Sequence, residues 1–359
     1  MGWKLQNLPL KDDVESKAVL RKVAAARSAL AELKGIAPTM PNEAILINTL
    51  SLQEAKDSSE VENIITTHDE LYRSQLDLKD IESISAKEVQ NYVSALKMGF
   101  EKVVKKEMLT SNDIVAIQQT LEKNKAGFRS VPGTNLKNES TKEVIYTPPQ
   151  DSEEIKKLMS NLESYINDYE LSDLDPLIKM AIIHHQFESI HPFYDGNGRT
   201  GRIINILYLV LNDLLDLPIL YLSRYVIQNK SDYYKLLQGV RDNNEWEPWI
   251  LFILDAVEKT SLQTIDMIKE MKTLMQEIKI ELRENYSFYS QDLLNNLFKH
   301  PYTKISFLEE ELGVSRPTAS NYINRLAKDG VLQMHKVHRA KYYINFRLYE
   351  LLHRERKFN

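Results

Sequence analysis

One stretch of this 359-residue sequence largely decides how the rest is organised: His191-Pro192-Phe193-Tyr194-Asp195-Gly196-Asn197-Gly198-Arg199-Thr200-Gly201-Arg202. The glycines on both sides of Asn197 permit backbone conformations closed to residues with a Cβ, so amide N–H groups can converge on one point. A helix that begins there adds unpaired N–H donors and the positive end of its dipole. Arg199 and Arg202, three residues apart, should project from one face of the first helical turn. The stretch predicts a polyphosphate site, and its predicted phosphate-binding residues are Gly196, Asn197, Gly198, Arg199, Thr200, Gly201 and Arg202.

Two side chains of the same stretch have chemistry suited to catalysis. Asp195 offers a hard oxygen ligand for Mg²⁺, which would bridge phosphate oxygens and offset their charge. His191 belongs to the residue type that titrates near neutrality, and it can take a proton from an attacking hydroxyl as a general base. The stretch therefore predicts the active site of a nucleotide-using enzyme.

Plainer interpretations explain less of the stretch. Three of its glycines also satisfy the dinucleotide pattern G-x-G-x-x-G, but that pattern follows a strand, whereas a helix and His-Pro-Phe precede it here. A simple glycine-rich turn between helices would leave two arginines and an aspartate unexplained. His184 and His185 are expected to be core or helix-face residues, because their spacing to His191 is not a metal-ligand pattern.

Length and composition place the chain among globular proteins of two or three domains. Its residues are 43% hydrophobic and 27% charged, fractions typical of soluble proteins, and no apolar run is long enough to cross a bilayer. Cysteine is absent, which excludes disulfides, thiolate nucleophiles and cysteine-ligated zinc. We therefore expect a cytoplasmic protein without a membrane partner.

Charge is distributed unevenly along the chain. The net charge is −5, but the segment from Lys299 onward holds 12 Lys and Arg against 6 Asp and Glu, which leaves −11 for the remainder. A small basic module on an acidic body favours a polyanion partner at the C-terminus.

Scarce glycine and abundant helix formers predict a mainly α-helical body. Helices are expected over Val14–Leu33 and over about Glu43–Ala55. The polar run Asp57-Ser58-Ser59 predicts a break, with a new helix beginning near Glu60. Later helices are expected at Ser85–Lys105, Ser111–Lys123, Asp151–Tyr169, Leu177–Ser189, Ile203–Leu215, Ser231–Asp242 and Glu247–Lys259, followed by a long charged helix to about Glu284.

The stretch between Gly127 and Gln150 differs from its helical surroundings. It is rich in glycine, proline and asparagine, and the short β-type run Val144-Ile145-Tyr146 precedes two prolines. An exposed hairpin or flap is predicted there. We expect three domains: an N-terminal helical region over residues 1–85, a core over 86–284 and a C-terminal domain over 285–359.

The C-terminal domain has the pattern of helix, glycine turn, helix and two-stranded wing. Ser315 is expected to cap the second helix, whose buried stripe would be Ala319, Ile323 and Leu326. The basic turn of the wing contains Lys336, His338, Arg339 and Lys341. The pattern resembles a winged helix-turn-helix of bacterial regulators, which would direct Arg316, Thr318, Ser320 and Asn321 toward a DNA groove. A winged helix used only for protein contacts or dimer packing is the alternative.

The stretch from His191 to Arg202 meets every specified position of H-P-F-x-[DE]-G-N-G-R-x-x-R, and on this motif the chain resembles Fic-domain proteins. The resemblance covers roughly Lys87 to Thr260, including the hairpin exit Tyr146-Thr147-Pro148-Pro149. It implies a Fic-type helical core with a β-hairpin flap. It also implies a protein adenylyltransferase that uses ATP and Mg²⁺ to attach AMP to a Ser, Thr or Tyr hydroxyl of a target protein or of itself. Relatives often dimerise, so a homodimer is expected.

The resemblance also implies a role for each motif residue. His191 would deprotonate the target hydroxyl, and Asp195 would hold Mg²⁺. Gly196, Asn197 and Gly198 would form the anion hole for the α- and β-phosphates; Arg199 would also grip the phosphates, and Arg202 would reach the γ-phosphate. Tyr233 and Tyr234 would line the adenine pocket, and Arg241 stands where some relatives carry an adenine-contacting Asn. The flap would align the target by strand addition.

The run Ser58-Ser59-Glu60-Val61-Glu62-Asn63 fits the inhibitory pattern of the family, [ST]-x-x-x-E-[GN]. The resemblance implies that Glu62 pairs with Arg202 and displaces the γ-phosphate from its productive place. Ser59 with Glu62 three residues later is also an ordinary capping box, and both interpretations can hold together. Some relatives with this glutamate also remove AMP, using it to orient a water molecule.

Two function hypotheses follow. The leading one is a Fic-type adenylyltransferase held inactive by its own helix. The alternative is a DNA-binding transcriptional regulator whose Fic body senses nucleotide. The intact His191 favours the enzyme, because a sensor needs the anion loop but not the base.

Overall fold

The structure is a computed structural model that describes residues 5–76, 83–137, 141–337, 340–354, 356 and 358. It confirms a mainly α-helical fold with small antiparallel sheets. The helices of the body are α1 (Lys17–Ile36), α2 (Glu43–Val61), α3 (His68–Ser74), α4 (Ile84–Lys106), α5 (Ser111–Glu122), α6 (Ser152–Asn167), α7 (Pro176–Ile190), α8 (Asn197–Leu211), α9 (Ser223–Gln228), α10 (Lys230–Asn243) and α11 (Trp246–Asn285). The C-terminal helices are α12 (Gln291–Lys299), α13 (Ile305–Leu312), α14 (Arg316–Lys328) and α15 (Phe346–His353).

Helices α7 and α8 form the centre of the fold. Every residue of α7 from Leu177 to Ile190 is buried, and α7 packs against α6, α8 and α11. Its start follows local rules, because the Asp175 side chain accepts a hydrogen bond from the Leu177 amide and Pro176 occupies the first turn. The buried α7 thereby fixes the point at which the loop to α8 begins.

The predicted break at Asp57-Ser58-Ser59 is wrong, because α2 continues through it to Val61. Both serines are fully buried. Burial against the core outweighs the weak local preference of these residues for a turn. The predicted capping box is also wrong, since Ser59 lies in the last turn of α2 and Glu62 follows as its C-cap. The next helix, α3, begins only at His68.

Helix α11 is continuous over 40 residues, whereas separate helices were expected on either side of Lys259. It contains no glycine, and its one proline, Pro248, lies in the first turn, where proline needs no amide partner. Helix α1 packs along α11, and buried residues recur as far as Leu282. Tertiary packing on this scale keeps the charged half helical. Helix α8, by contrast, ends at Leu211 rather than near Leu215.

The predicted hairpin is present as strands β1 (Leu136–Lys137) and β2 (Val144–Tyr146), which pair antiparallel with Leu136 opposite Tyr146. In the C-terminal segment, β3 (Tyr302–Thr303), β4 (Gln333–Val337) and β5 (Ala340–Ile344) form an antiparallel sheet in the order β3-β5-β4. No helix among the described residues is both long enough and apolar enough to span a membrane.

The helix-turn-helix of the C-terminal segment is α13, a left-handed Gly313 and α14. The Ser315 side chain caps α14, and the predicted stripe of Ala319, Ile323 and Leu326 is buried. Of the predicted basic turn, Lys336 and Lys341 face each other across β4 and β5, whereas His338 and Arg339 lie outside the described residues. The domain boundaries stay predictions.

Candidate active site

The loop between α7 and α8 is held by its own side chains. His191 and Gly196, at its two ends, both have left-handed backbones, with φ of 49° and 78°. The Asn197 side chain accepts a hydrogen bond from the Phe193 amide and donates one to the Phe193 carbonyl, each at 2.9 Å. Asn197 therefore shapes the loop through its side chain, while the first amides of α8 are left without helical partners.

A cavity of about 540 Å³ opens at the start of α8. It is lined by the flap residues Asn135, Leu136, Lys137 and Ile145, and by side chains of α7, α8 and α10. Of the predicted site residues, the lining includes Glu62, His191, Gly198, Arg202, Tyr233 and Tyr234. The structure thus brings together the predicted base, the Arg202 guanidinium and the aromatic pair, with Arg241 also in the wall, in a space suited to a nucleotide.

His191 is a neutral base rather than a group that titrates near pH 7. The pKa of His191 is lowered to about 4, mainly by burial and in addition by the positive charges of Arg129 and Arg241. Its Nδ1 has no hydrogen-bond partner among the described residues. The expectation of an ordinary histidine pKa is therefore wrong, but the imidazole remains free to accept a proton throughout the physiological range.

Arg202 is buried and is held by the end of α2. Its Nε donates to Ser58 Oγ at 2.8 Å, and its Nη2 donates to Ser58 O at 2.8 Å and to Glu62 Oε1 at 2.7 Å. Burial lowers the pKa of Arg202, but the Glu62 carboxylate outweighs it, so the net pKa is raised. The predicted partner of Glu62 is thus confirmed in its geometry.

Glu62 also lies against the backbone of Gly198. A Cβ on Gly198 would overlap Glu62 Oε1, so only glycine lets the carboxylate approach this closely. The start of a helix attracts negative charge. The carboxylate of Glu62 therefore lies beside the first amides of α8, at the position where a phosphate would bind.

Arg199 is placed differently from the expectation. Its Nη1 donates to Glu88 at 3.1 Å and its Nη2 donates to Glu122 at 2.8 Å, and the side chain is buried outside the cavity lining. Glu122 itself packs against Gly196, where a Cβ would overlap it. The guanidiniums of Arg199 and Arg202 therefore do not converge on one point in this structure, because they pair with carboxylates on different elements.

The other predicted site residues, Thr200, Gly201 and Asp195, lie around the cavity rather than in its lining. Thr200 is fully buried, and Gly201 packs where α8 meets Glu188 and Phe187 of α7. Asp195 is exposed, and its Oδ1 accepts a hydrogen bond from the Gly196 amide at 2.7 Å. The described residues hold no group of three or more His, Asp or Glu side chains arranged for a metal ion. A metal at Asp195 would therefore depend on phosphate oxygens for most of its ligands.

Tyr233 and Tyr234 form unequal parts of the cavity wall. Tyr233 is buried, and its hydroxyl lies 2.8 Å from His184 Nε2. Tyr234 is 43% exposed, and its ring centroid lies 5.1 Å from that of Tyr233. His184 and His185 are core residues, as expected, and burial lowers the pKa of both.

Three segments of the chain match known families. Residues 20–101 match the N-terminal region of the Fic/DOC family, residues 108–209 match the Fic/DOC family itself, and residues 271–348 match the C-terminal domain of SoFic-like protein adenylyltransferases. The chain belongs to the Fic family.

The similar proteins cover this Fic chain to different extents. Proteins named Protein adenylyltransferase Fic from Drosophila erecta and Drosophila melanogaster are each 33% identical over 115 residues, 31% of this chain and 21% of theirs. The chain thus spans about a fifth of the length of these relatives. A solved Fic family protein from Desulfovibrio desulfuricans is 21% identical with a TM-score of 0.59, covering 94% of this chain and 98% of that one. Fic-1 from C. elegans is 18% identical with a TM-score of 0.53, covering 69% and 73%. At these identities the solved structures support the fold alone.

Several polar residues of the Fic site were not found from the sequence. Ser58 was noted only as the first position of the inhibitory pattern; a continuous α2 would have placed it, one turn before Glu62, on the face toward Arg202. Glu88 and Glu122 carry no local signal, because they reach Arg199 from distant parts of the chain. Glu188 lines the cavity, and burial raises its pKa to about 7. Arg129, equally without a signal, contacts the backbone of His191.

Proposed function

We propose that this Fic protein is a protein adenylyltransferase, which transfers AMP from ATP to a Ser, Thr or Tyr hydroxyl of a protein. The observation that carries the proposal is a neutral His191 in the cavity that opens onto Gly198 and Arg202 at the start of α8. The family to which the chain belongs and the names of its curated relatives support the same activity.

The chemistry requires a base and a site for departing negative charge. The target oxygen attacks the α-phosphorus, its proton passes to the His191 imidazole, and the bond from the α-phosphorus to the bridging oxygen breaks to release pyrophosphate. Backbone amides from Gly196 to Gly198 and the Arg202 guanidinium offer donors for the charge that develops. A Mg²⁺ ion held by Asp195 would offset part of the phosphate charge.

Glu62 acts as the inhibitory residue in this proposal. While it pairs with Arg202 and covers Gly198, the γ-phosphate of ATP has neither its cation nor its place at the helix start. ATP would then bind with its α-phosphorus out of line for attack. Release of Glu62 would correct the alignment without a change in the rest of the fold.

The test is incubation of the purified chain with labelled ATP and Mg²⁺. Wild type, Glu62→Gly, His191→Ala and the double variant are compared by label on protein and by mass spectrometry. We expect strong self-labelling in Glu62→Gly and its loss by a factor on the order of 10²–10⁴ in the double variant. Label that persists without His191, or that is absent from every variant, would contradict the proposal. Release of AMP from pre-labelled protein would show the reverse direction.

A second candidate function is DNA binding by the C-terminal segment. The observation that favours it is the helix-turn-helix of α13 and α14 with Arg316 and Asn321 exposed on a basic segment. Fluorescently labelled duplex DNA titrated at several salt concentrations should bind with an affinity that falls steeply as salt rises. Arg316→Gln should weaken that binding, and salt-independent or absent binding would contradict this function.

A further inference from the structure

Arg129 lies at the entrance to the flap and binds the loop that carries His191. Its Nε donates to the His191 carbonyl at 2.8 Å, and its Nη2 donates to the carbonyls of Ile190, at 3.3 Å, and of Pro149. Its backbone amide also donates to the Pro192 carbonyl at 2.8 Å. One residue thus contacts three consecutive carbonyls of the active-site loop and the far end of the flap.

The environment of Arg129 is unusual for a charged side chain. It is 1% exposed, no carboxylate of the described residues forms an ion pair with it, and its Nη1 has no hydrogen-bond partner among them. A buried cation is costly unless donors and acceptors match well. Two of the acceptors are the carbonyls of Ile190, the last residue of α7, and of its C-cap His191, which lie at the negative end of the helix dipole and lack helical partners. The charge of Arg129 therefore stabilises backbone carbonyls at the end of α7, where His191 follows the helix.

His191 needs such support because its backbone is left-handed, with φ of 49°, a conformation that side chains with a Cβ rarely adopt. Its amide donates to the Phe187 carbonyl at 3.0 Å, and its carbonyl accepts from Arg129. Both peptide groups that flank the residue are thus fixed. The direction of the imidazole then depends on side-chain rotation alone.

The flap is attached to the same loop at further points. The Tyr194 hydroxyl accepts hydrogen bonds from the Ser130 and Val131 amides at 3.0 and 3.2 Å. On the other arm, the Tyr146 hydroxyl donates to the Ser189 carbonyl at 2.8 Å. Both arms of the flap are therefore attached to the segment around His191. Arg129 contributes to both attachments, because it lies on one arm and binds Pro149 at the end of the other.

We propose that Arg129 is a positioning residue, which holds the His191 backbone and the stem of the flap in one fixed geometry. This inference rests on the proposed function for its kinetic consequence. A target strand that pairs with the flap would then place its hydroxyl at a set distance from the imidazole. Arg129 touches neither nucleotide nor target in this scheme.

The kinetic test uses the full chain in the Glu62→Gly background. Arg129→Gln should lower the self-labelling rate by about 100-fold, because small misplacements of reacting groups cost that much, while the Kd for ATP stays within about twofold. Arg129→Lys retains the charge without the planar fork and should lose about tenfold. Lys125→Gln, an equal charge change at an exposed position nearby, is the control and should match its parent.

An NMR titration separates this inference from the proposed function. The charged groups that act on the His191 ring are Arg129, Arg241 of α10 and Glu62. Removing the charge in Arg129→Gln should move the His191 titration to higher pH, and hydrogen exchange at the His191 amide should become faster. Arg129→Lys should keep the titration near that of the parent. If the Glu62→Gly parent transfers no label, the proposed function is contradicted, but the His191 titration and the hydrogen exchange at its amide still test the role of Arg129. Unchanged exchange and titration in Arg129→Gln, or a rate loss explained by weaker ATP binding, would overturn the inference.

Discussion

Arg199 and Arg202 lie three residues apart in the first two turns of α8, and both are buried against carboxylates. The carboxylates differ in origin. Glu88 and Glu122 come from α4 and the end of α5, two helices that pack on α8 within the core. Glu62 comes from the end of α2, where the helix stops and a left-handed Asn63 begins the next loop.

The difference teaches how one residue type can have two uses on one helix. Glu122 and Glu62 each lie against a glycine at the start of α8, but Glu122 is only 13% exposed and belongs to a helix that packs on α8. Glu62 is 34% exposed and is attached to a chain segment that ends a helix. We infer that the Arg199–Glu122 pair maintains the fold, whereas the Arg202–Glu62 pair can open. The predicted phosphate contact of Arg199 would require it to share its charge with these carboxylates.

The largest expected effect separates the two pairs by activity. Glu62→Gln keeps the shape of the side chain but removes its charge, so Arg202 becomes available to ATP. Self-labelling should rise by about 5- to 150-fold, the usual range for coupling between two states. The matched variant Glu122→Gln should give no rise. A rise in both variants, or in Glu122→Gln alone, would contradict the distinction between the pairs.

The next effect concerns the anchor of α2. Glu54 is fully buried and accepts hydrogen bonds from Tyr92 at 2.9 Å and from the amide and hydroxyl of Ser223 at 3.1 and 2.5 Å. Burial raises the pKa of Glu54 from 4.5 to about 7, although these donors and Arg202 oppose the shift. The helix that carries Glu62 is therefore tied to the core by an acid that is protonated more readily when folded.

The consequence is a pH-dependent stability that Glu54→Gln should remove. The raised pKa makes the contribution of Glu54 fully present below about pH 4.5 and lost as the pH rises toward 7. The stability of Glu54→Gln relative to wild type should therefore increase across this window, by up to about 3 kcal/mol. Urea unfolding at pH 5 and pH 8 measures the difference. Parallel curves for the two proteins would show that Glu54 does not titrate in this range.

A smaller effect is expected for the stability of the Arg199 pairs. Glu122→Gln leaves a buried guanidinium with Glu88 as its remaining carboxylate, which should cost about 1 to 2 kcal/mol of the free energy of unfolding. Glu62→Gln should cost less, because water can replace the partly exposed carboxylate. Thermal and urea unfolding of the two variants give the comparison directly. Equal losses would mean that both pairs are structural.

The sequence predicted the centre of this site and missed its surroundings. The loop, the start of α8, the buried α7 and the hairpin follow from glycine, proline and apolar patterns that act locally. The pairing of Glu62 with Arg202 came from a motif resemblance rather than from local physics. Local physics at the same residues predicted a cap and a break, because it cannot register that Ser58 and Ser59 would be buried.

What could not be predicted depends on contacts between distant residues. The partners of Arg199 are 111 and 77 residues away in the chain, and no spacing rule reaches that far. The low pKa of His191 arises from burial and from two arginines on other elements, which the motif does not contain. Helix spacing predicted a common face for Arg199 and Arg202, but it could not predict that carboxylates on different elements would hold their guanidiniums apart.

The smallest expected effect tests whether the loop after Glu62 also restrains the inhibitory residue. Asn63 is left-handed, with φ of 61°, and its Oδ1 accepts a hydrogen bond from Lys230 at 2.9 Å. Asn63→Gly retains the backbone conformation without strain and loses this hydrogen bond, which is worth about 0.5 kcal/mol at an exposed position. Self-labelling should rise about twofold. Glu107→Gly, at a left-handed end of α4 with φ of 54°, is the matched control and should leave the rate unchanged. A rise as large as that of Glu62→Gln would instead show that Asn63 controls the opening of the Glu62–Arg202 pair. No rise would show that the contacts with Arg202 alone hold Glu62 in place.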